Sequence, residues 1–222
     1  MLSDRKRGLA DNKDHGRIVS VPGKDQYLDT TQLNVLERAF RQAVETAPRS
    51  EARFSRQRLL IIFLLIRYTG AKLNEVLAVD PRRDIDCQNH TVVFRGATIR
   101  LILEPRKVQI SETLATEILA LLGPSALRKD ETAILTIDPG FVRRKFYHYA
   151  ELCGFTKQLG GPEAIRKARA VELMQGNMPL PAVQMMLGHR SPNLTSAYVS
   201  FSENEIRQVA RLYMEKESLR RT

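Results

Sequence analysis

The sequence predicts a mainly α-helical domain interrupted once by a small three-stranded antiparallel β-meander, an α+β arrangement. Three observations predict it. Apolar residues recur at helical spacing in both halves of the chain. Between them, residues 90–111 switch to short segments rich in β-branched residues. The run "LLIIFLLI" (59–66), followed by Arg67, is too short to cross a membrane and reads as a helix buried in a core. A length of 222 residues with 43% hydrophobic content suits one large domain, or one domain with a small appendage.

Residues 1–26 are polar, charged and weakly periodic, and are expected to form a flexible basic arm or a linker. Residues 27–222 are expected to form the domain. In "YLDTTQLNVLERAFRQAVET" (27–46), Asp29 or Thr30 can cap a helix that carries Leu33, Leu36, Phe40 and Val44 on one face. "APRSEARFSRQ" (47–57) reads as a charged connection, with a second helix over about 53–68 ended by Gly70. Leu73, Val76 and Leu77 open a further apolar face. "HTVVFRG" (90–96), "TIRLILE" (98–104) and "KVQIS" (107–111) read as the three strands, with "EPRK" (104–107) as the second turn. Beyond Ser111 the spacing predicts helices over 112–122, 139–152, 162–175, 180–187, 192–200 and 203–217, punctuated by Gly176 and "GNMP".

The N-terminus has no apolar signal core, so a cytoplasmic protein with no membrane partner is expected. Two cysteines, Cys87 and Cys153, are too few for a disulfide framework and read as reduced thiols in or near the core. His15, His90, His148 and His189 show no metal-ligand spacing, so neither a metal nor another cofactor is expected. The formal net charge of +10 favours a polyanionic partner. Tryptophan is absent and aromatic residues make up 6%. A surface that stacks single-stranded bases usually needs more, so duplex DNA held through its phosphates is the better fit.

"YTGAKLNEVLAV" (68–79), the β-meander, "GPEAIRKARAVELMQG" (161–176) and "PLPAVQMMLGHRSPNLTSAYV" (179–199) together resemble the catalytic domain of the tyrosine recombinase, or phage integrase, family. The resemblance covers roughly residues 27–215. Its most specific part is the C-terminal box: Leu-Gly-His, a Ser-Pro turn, a threonine, and a tyrosine nine residues after the histidine. The resemblance implies a tyrosine hydroxyl that attacks a DNA phosphodiester, giving a 3′-phosphotyrosyl link and a free 5′-hydroxyl, with no metal. The transition state gathers negative charge on its non-bridging oxygens, which planar, bidentate arginines clamp. A lysine on the β-hairpin protonates the leaving oxygen, and histidines assist proton transfer.

Carried over position by position, Tyr198 falls on the nucleophile, His189 on the phosphate-binding histidine and Arg166 on the second arginine. Lys107, beside Arg106, is the candidate hairpin lysine. The bland alternatives are a tyrosine packed at a helix start, a loop-capping histidine, a solvated helix charge and a solvated turn charge. Two positions depart from the family's pattern. Lys72 stands where the first arginine is expected, which keeps the charge and loses the fork. Glu163 stands where a histidine is expected, three residues before Arg166, and would repel a phosphate or pair with Lys72 or Arg166. Lys167 replaces a histidine or lysine, a milder change.

The expected function is therefore sequence-specific binding of double-stranded DNA by a recombinase-like domain with impaired cleavage, used in transcription regulation. The alternative is a working site-specific recombinase or integrase. Arg95, Arg100, Arg106, Lys167 and Arg190 are further candidate DNA contacts. A third reading is an assembly module. Ile206, Val209, Leu212 and Tyr213 share a face of the C-terminal segment, and family members exchange such a helix between protomers, which implies a homo-oligomer. Some regulators that resemble this chain carry an effector-sensing domain, which here would lie outside the chain.

Overall fold

The computed structural model describes residues 27–95, 105–123, 134–189 and 193. Helix α1 spans Thr30–Glu45. Asp29 caps it: its carboxylate accepts from Gln32 N at 2.8 Å, while the Gln32 side chain accepts from Asp29 N. The four residues expected on one face, Leu33, Leu36, Phe40 and Val44, are all buried.

Helix α2, Ser50–Thr69, is the central element, packed by α1, α3, α5 and α7. It begins three residues earlier than the sequence pattern indicated. Glu51 in its first turn favours the helix dipole, and the added residues Ser50 and Glu51 are exposed, so the extra turn is stabilised locally rather than by burial. All eight residues from Leu59 to Ile66 are buried, so apolar neighbours surround this part of α2. Each such side chain contributes about 1.5–3 kcal/mol when withdrawn from water. Phe40 of α1 lies 4.5 Å from Phe63 of α2, and 5.0 and 4.4 Å from Phe146 and Tyr149 of α6 (Pro139–Leu152), centroid to centroid.

Short helices α3 (Leu73–Leu77) and α4 (Pro81–Asp84) lead into an antiparallel sheet of order β1-β2-β3. Its strands are β1 (Ile85–Asp86), β2 (Thr91–Phe94) and β3 (Arg106–Gln109). The three-stranded sheet is as expected, but its strands differ. Ile85–Asp86 supplies an edge strand too short to show alternation. The expected strand at 98–104 lies outside the described residues. Arg106, expected in the turn, and Lys107, expected where that turn meets the third strand, both belong to β3, because Val108 pairs with Val92 and carries both residues into the ladder. That register puts Phe94 opposite Arg106 and Val93 opposite Lys107, so Arg106 and Lys107 point to opposite faces.

Helix α5 (Glu112–Leu122), α6, α7 (Pro162–Gln175) and α8 (Leu180–Leu187) match the expected spans. The helices expected at 192–200 and 203–217 lie outside the described residues. Cys87 and Cys153 are free, half-buried thiols. Among the described residues no helix is long and apolar enough to cross a membrane, and no cluster of side chains could hold a metal ion.

Candidate active site

The site grows from two left-handed glycine turns. Gly70 ends α2 with φ +65°, and its carbonyl points away from the helix towards α7. Gly188 ends α8 with φ +68°, which sets His189 immediately after the turn. Neither position tolerates a side chain. A Cβ on Gly70 would collide with Leu187 Cδ2, and one on Gly188 would come within 2.7 Å of Arg106 Nε. The two turns are thus in mutual contact through α8, with Arg106 filling the space beside the second.

Arg166 is the centre of the arrangement. It lies on α7, is 1% exposed, and donates from Nη1 to Gly70 O at 2.7 Å. Its Nε and Nη2 are buried and have no hydrogen-bond partner among the described residues. Glu163 Oε2 stands 4.0 Å from Nε, beyond hydrogen-bond range, and its side chain is mostly exposed. A buried guanidinium with two unanswered nitrogens is costly unless a ligand answers them, and the planar fork suits an oxyanion.

Three further groups act on the same space. Lys72, exposed, is the N-cap of α3, and its backbone N–H donates to Glu75 Oε2 at 2.8 Å. The same carboxylate oxygen accepts from Arg106 Nη2 at 2.7 Å. Arg106 also donates from Nη1 to the Met186 carbonyl, and its guanidinium lies 4.8 Å from the Phe94 ring centroid. His189 is buried, with its backbone fixed by Gln184: the His189 N–H donates to Gln184 O at 3.1 Å, and its carbonyl accepts from Gln184 Nε2 at 3.2 Å. Burial, then the charges of Arg166, Lys72 and Arg106, push the His189 imidazole down to about 3. It is neutral at neutral pH and can donate or accept a hydrogen bond without adding charge. Burial also lowers Arg106, opposed by Glu75.

The structure therefore brings Arg166, His189, Lys72 and Arg106 together, with Glu163 at the edge. Lys107 is not with them. It is exposed on the far face of β3. Arg95 is paired with Asp84 at 2.9 Å and half-exposed. Lys167 is buried on α7, its ammonium 6.0 Å from the Tyr27 ring, and burial lowers it. Tyr198, Arg100 and Arg190 lie outside the described residues. Two contributors went unread in the sequence. Glu75 was signalled by its place three residues after Lys72, the spacing of an N-terminal capping carboxylate. The Gly70 carbonyl carried no side-chain signal at all.

A model of the phage integrase family matches residues 33–205, and the chain belongs to that family. Among solved structures, the XerA recombinase is 18% identical over 87% of this chain, with a TM-score of 0.67. The XerH site-specific recombinase, solved bound to its difH substrate before cleavage, is 18% identical over 85% of the chain, at 0.64. The catalytic domain of bacteriophage HP1 integrase is 13% identical over 83% of the chain and 93% of its own length, at 0.54. The chain spans 66% of the XerA chain and 53% of the XerH chain. At these identities the likeness is one of fold. No curated protein matches by sequence.

Proposed function

We propose that the chain binds double-stranded DNA with a phosphodiester seated against Arg166, and that it cleaves that DNA poorly or not at all. The observation that carries the reading is the buried Arg166 fork with Nε and Nη2 unanswered, beside a neutral His189 and the charge of Lys72. A DNA phosphate supplies the oxygens these donors lack. Family membership and the net charge of +10 support duplex DNA as the partner. Residues 27–222 act as the binding domain in this reading, and 1–26 as a basic arm that adds non-specific affinity.

The argument against efficient cleavage is chemical. Lys72 offers a point charge where a second fork is needed, and loss of one transition-state donor typically costs about a hundred- to a thousandfold. Glu163 brings a negative charge to within 4.0 Å of the fork. Lys107 faces away from the cluster, which leaves the leaving-group proton without a lysine donor from the described part of the sheet. A domain that grips a chosen site without cutting it suits transcription regulation, in the cytoplasm where such DNA lies. A second reading is favoured by Arg166 and His189 themselves, which keep the pattern of a working recombinase with Tyr198 as the nucleophile.

A nicked duplex that traps a phosphotyrosyl adduct separates the two. The regulator gives no covalent band, and Tyr198→Phe binds DNA within about twofold of wild type. A covalent band that Tyr198→Phe abolishes establishes the recombinase instead.

A further inference from the structure

Away from the cluster, a cavity of about 710 Å³ opens between α1, the N-terminal half of α2, and α6. It is separate from the active site. Leu59 lines it, while Gly70 ends the same helix about 16 Å further along, at about 1.5 Å per residue. Its volume lies in the range of small-molecule sites, roughly 300–1,000 Å³.

The lining has two parts. The floor is apolar, with Leu59 and Tyr149 buried and Phe141 beside them, and Leu152, 67% exposed, stands among the lining residues. The other part is cationic: Arg38, Arg56 and Lys145, with His148 beside them, and among the described residues no carboxylate lines the cavity. Elsewhere the arginines of this fold are mostly matched. Arg41 and Arg67 share Glu37, Arg83 and Arg95 share Asp84, and Arg106 holds Glu75. Among the described residues the cavity's cations have no such partner. Arg56 donates one N–H to the Ala43 carbonyl at 2.6 Å, and Lys145 lies 5.7 Å from the Phe141 ring centroid. An apolar floor with unmatched cations around it selects for a molecule with an apolar body and a negative head.

We propose that this cavity is a binding site for a small organic anion, an aromatic or branched apolar body carrying one carboxylate, sulfonate or phosphate group. The floor takes the body, and Arg38 and Lys145 hold the head from α1 and α6. A DNA backbone does not satisfy this site, because a phosphodiester chain has no apolar group to fill the floor.

The test uses the full chain and 8-anilinonaphthalene-1-sulfonate, with N-phenyl-1-naphthylamine as the same ring system without the charge. The sulfonate is expected to bind at one site per chain. The neutral amine, and the sulfonate with Arg38→Gln/Lys145→Gln, are expected to bind at least about tenfold more weakly. Ala39→Trp, which fills the cavity, is expected to remove binding. If its thermal unfolding shows that this variant does not fold, the double variant decides alone, since neither of its positions lies in the core. Equal binding of the neutral probe, or no loss in the double variant, overturns the proposal in favour of adsorption to apolar surface. A double variant that binds duplex DNA about tenfold more weakly also overturns it, and assigns these cations to DNA. Dimerisation that the sulfonate or Ala39→Trp abolishes overturns it in favour of a second copy as the occupant.

Discussion

Arg166 shows how burial turns a common side chain into a specific one. On an exposed helix face its guanidinium would be solvated and interchangeable. At 1% exposure, with one N–H given to Gly70 O, Nε and Nη2 are held in fixed directions without a hydrogen-bond partner among the described residues. Arg166→Lys keeps the charge and removes the fork, so it should weaken duplex binding by roughly 1.5–3 kcal/mol, about ten- to a hundredfold, by fluorescence anisotropy. His189 gives a second test. Its imidazole sits near 3 in the folded chain, against about 6.5 when unfolded. Below about pH 6.5 the unfolded chain takes up a proton that the folded chain refuses. The stability that His189 contributes is therefore complete above pH 6.5 and is lost as pH falls towards 3. NMR should show its ring neutral at pH 5, and the value should rise when DNA phosphate offsets the surrounding cations.

At the scale of elements, the fold is held by junctions as much as by helix faces. Glu37 of α1 accepts from Arg67 Nη1 at 2.6 Å, from Arg41 of its own helix, and from the Tyr68 hydroxyl at 3.0 Å. Arg67 is 3% exposed, so Glu37→Ala leaves a buried charge uncompensated and should cost about 3–5 kcal/mol in urea unfolding. Gly70→Ala strains a left-handed turn and drives its methyl into Leu187. It should lower stability by at least about 1–2 kcal/mol and weaken DNA binding in parallel, because the Gly70 carbonyl positions Arg166. The long helices were legible in the sequence because caps and apolar spacing agree, as with Asp29 and the Leu33–Leu36–Phe40–Val44 face. The sheet was less so. Ile85–Asp86 is two residues long, and the side of the ladder on which Arg106 and Lys107 fall depends on their pairing with Phe94 and Val93, which no local pattern states.

At the scale of the molecule, the net charge of +10 and the concealed fork make opposite predictions about salt. Affinity from exposed cations falls steeply with salt through counterion release, whereas a buried, hydrogen-bonded phosphate contact is less screened. Duplex affinity should therefore drop at least tenfold between about 50 and 200 mM salt, and the relative loss from Arg166→Lys should persist at the higher concentration. Lys72→Arg combined with Glu163→His restores both departures from the family pattern. If the scaffold is otherwise competent, the pair should raise adduct formation on a nicked duplex above that of wild type.

The sequence by itself determined the helical framework, the presence of a small sheet, the basic character and the family box around Arg166 and His189. Each of these is written in local spacing or in composition, which survive without the fold. Only the tertiary structure decided which of the candidate groups meet. Arg106 joins the cluster and Lys107 leaves it because neighbouring residues on a strand point to opposite faces. Arg166 acquires its unanswered donors because α7 packs against the end of α2, where Gly70 turns a carbonyl towards it. Such convergence links residues about a hundred positions apart, and its physical origin is the packing that closes the core.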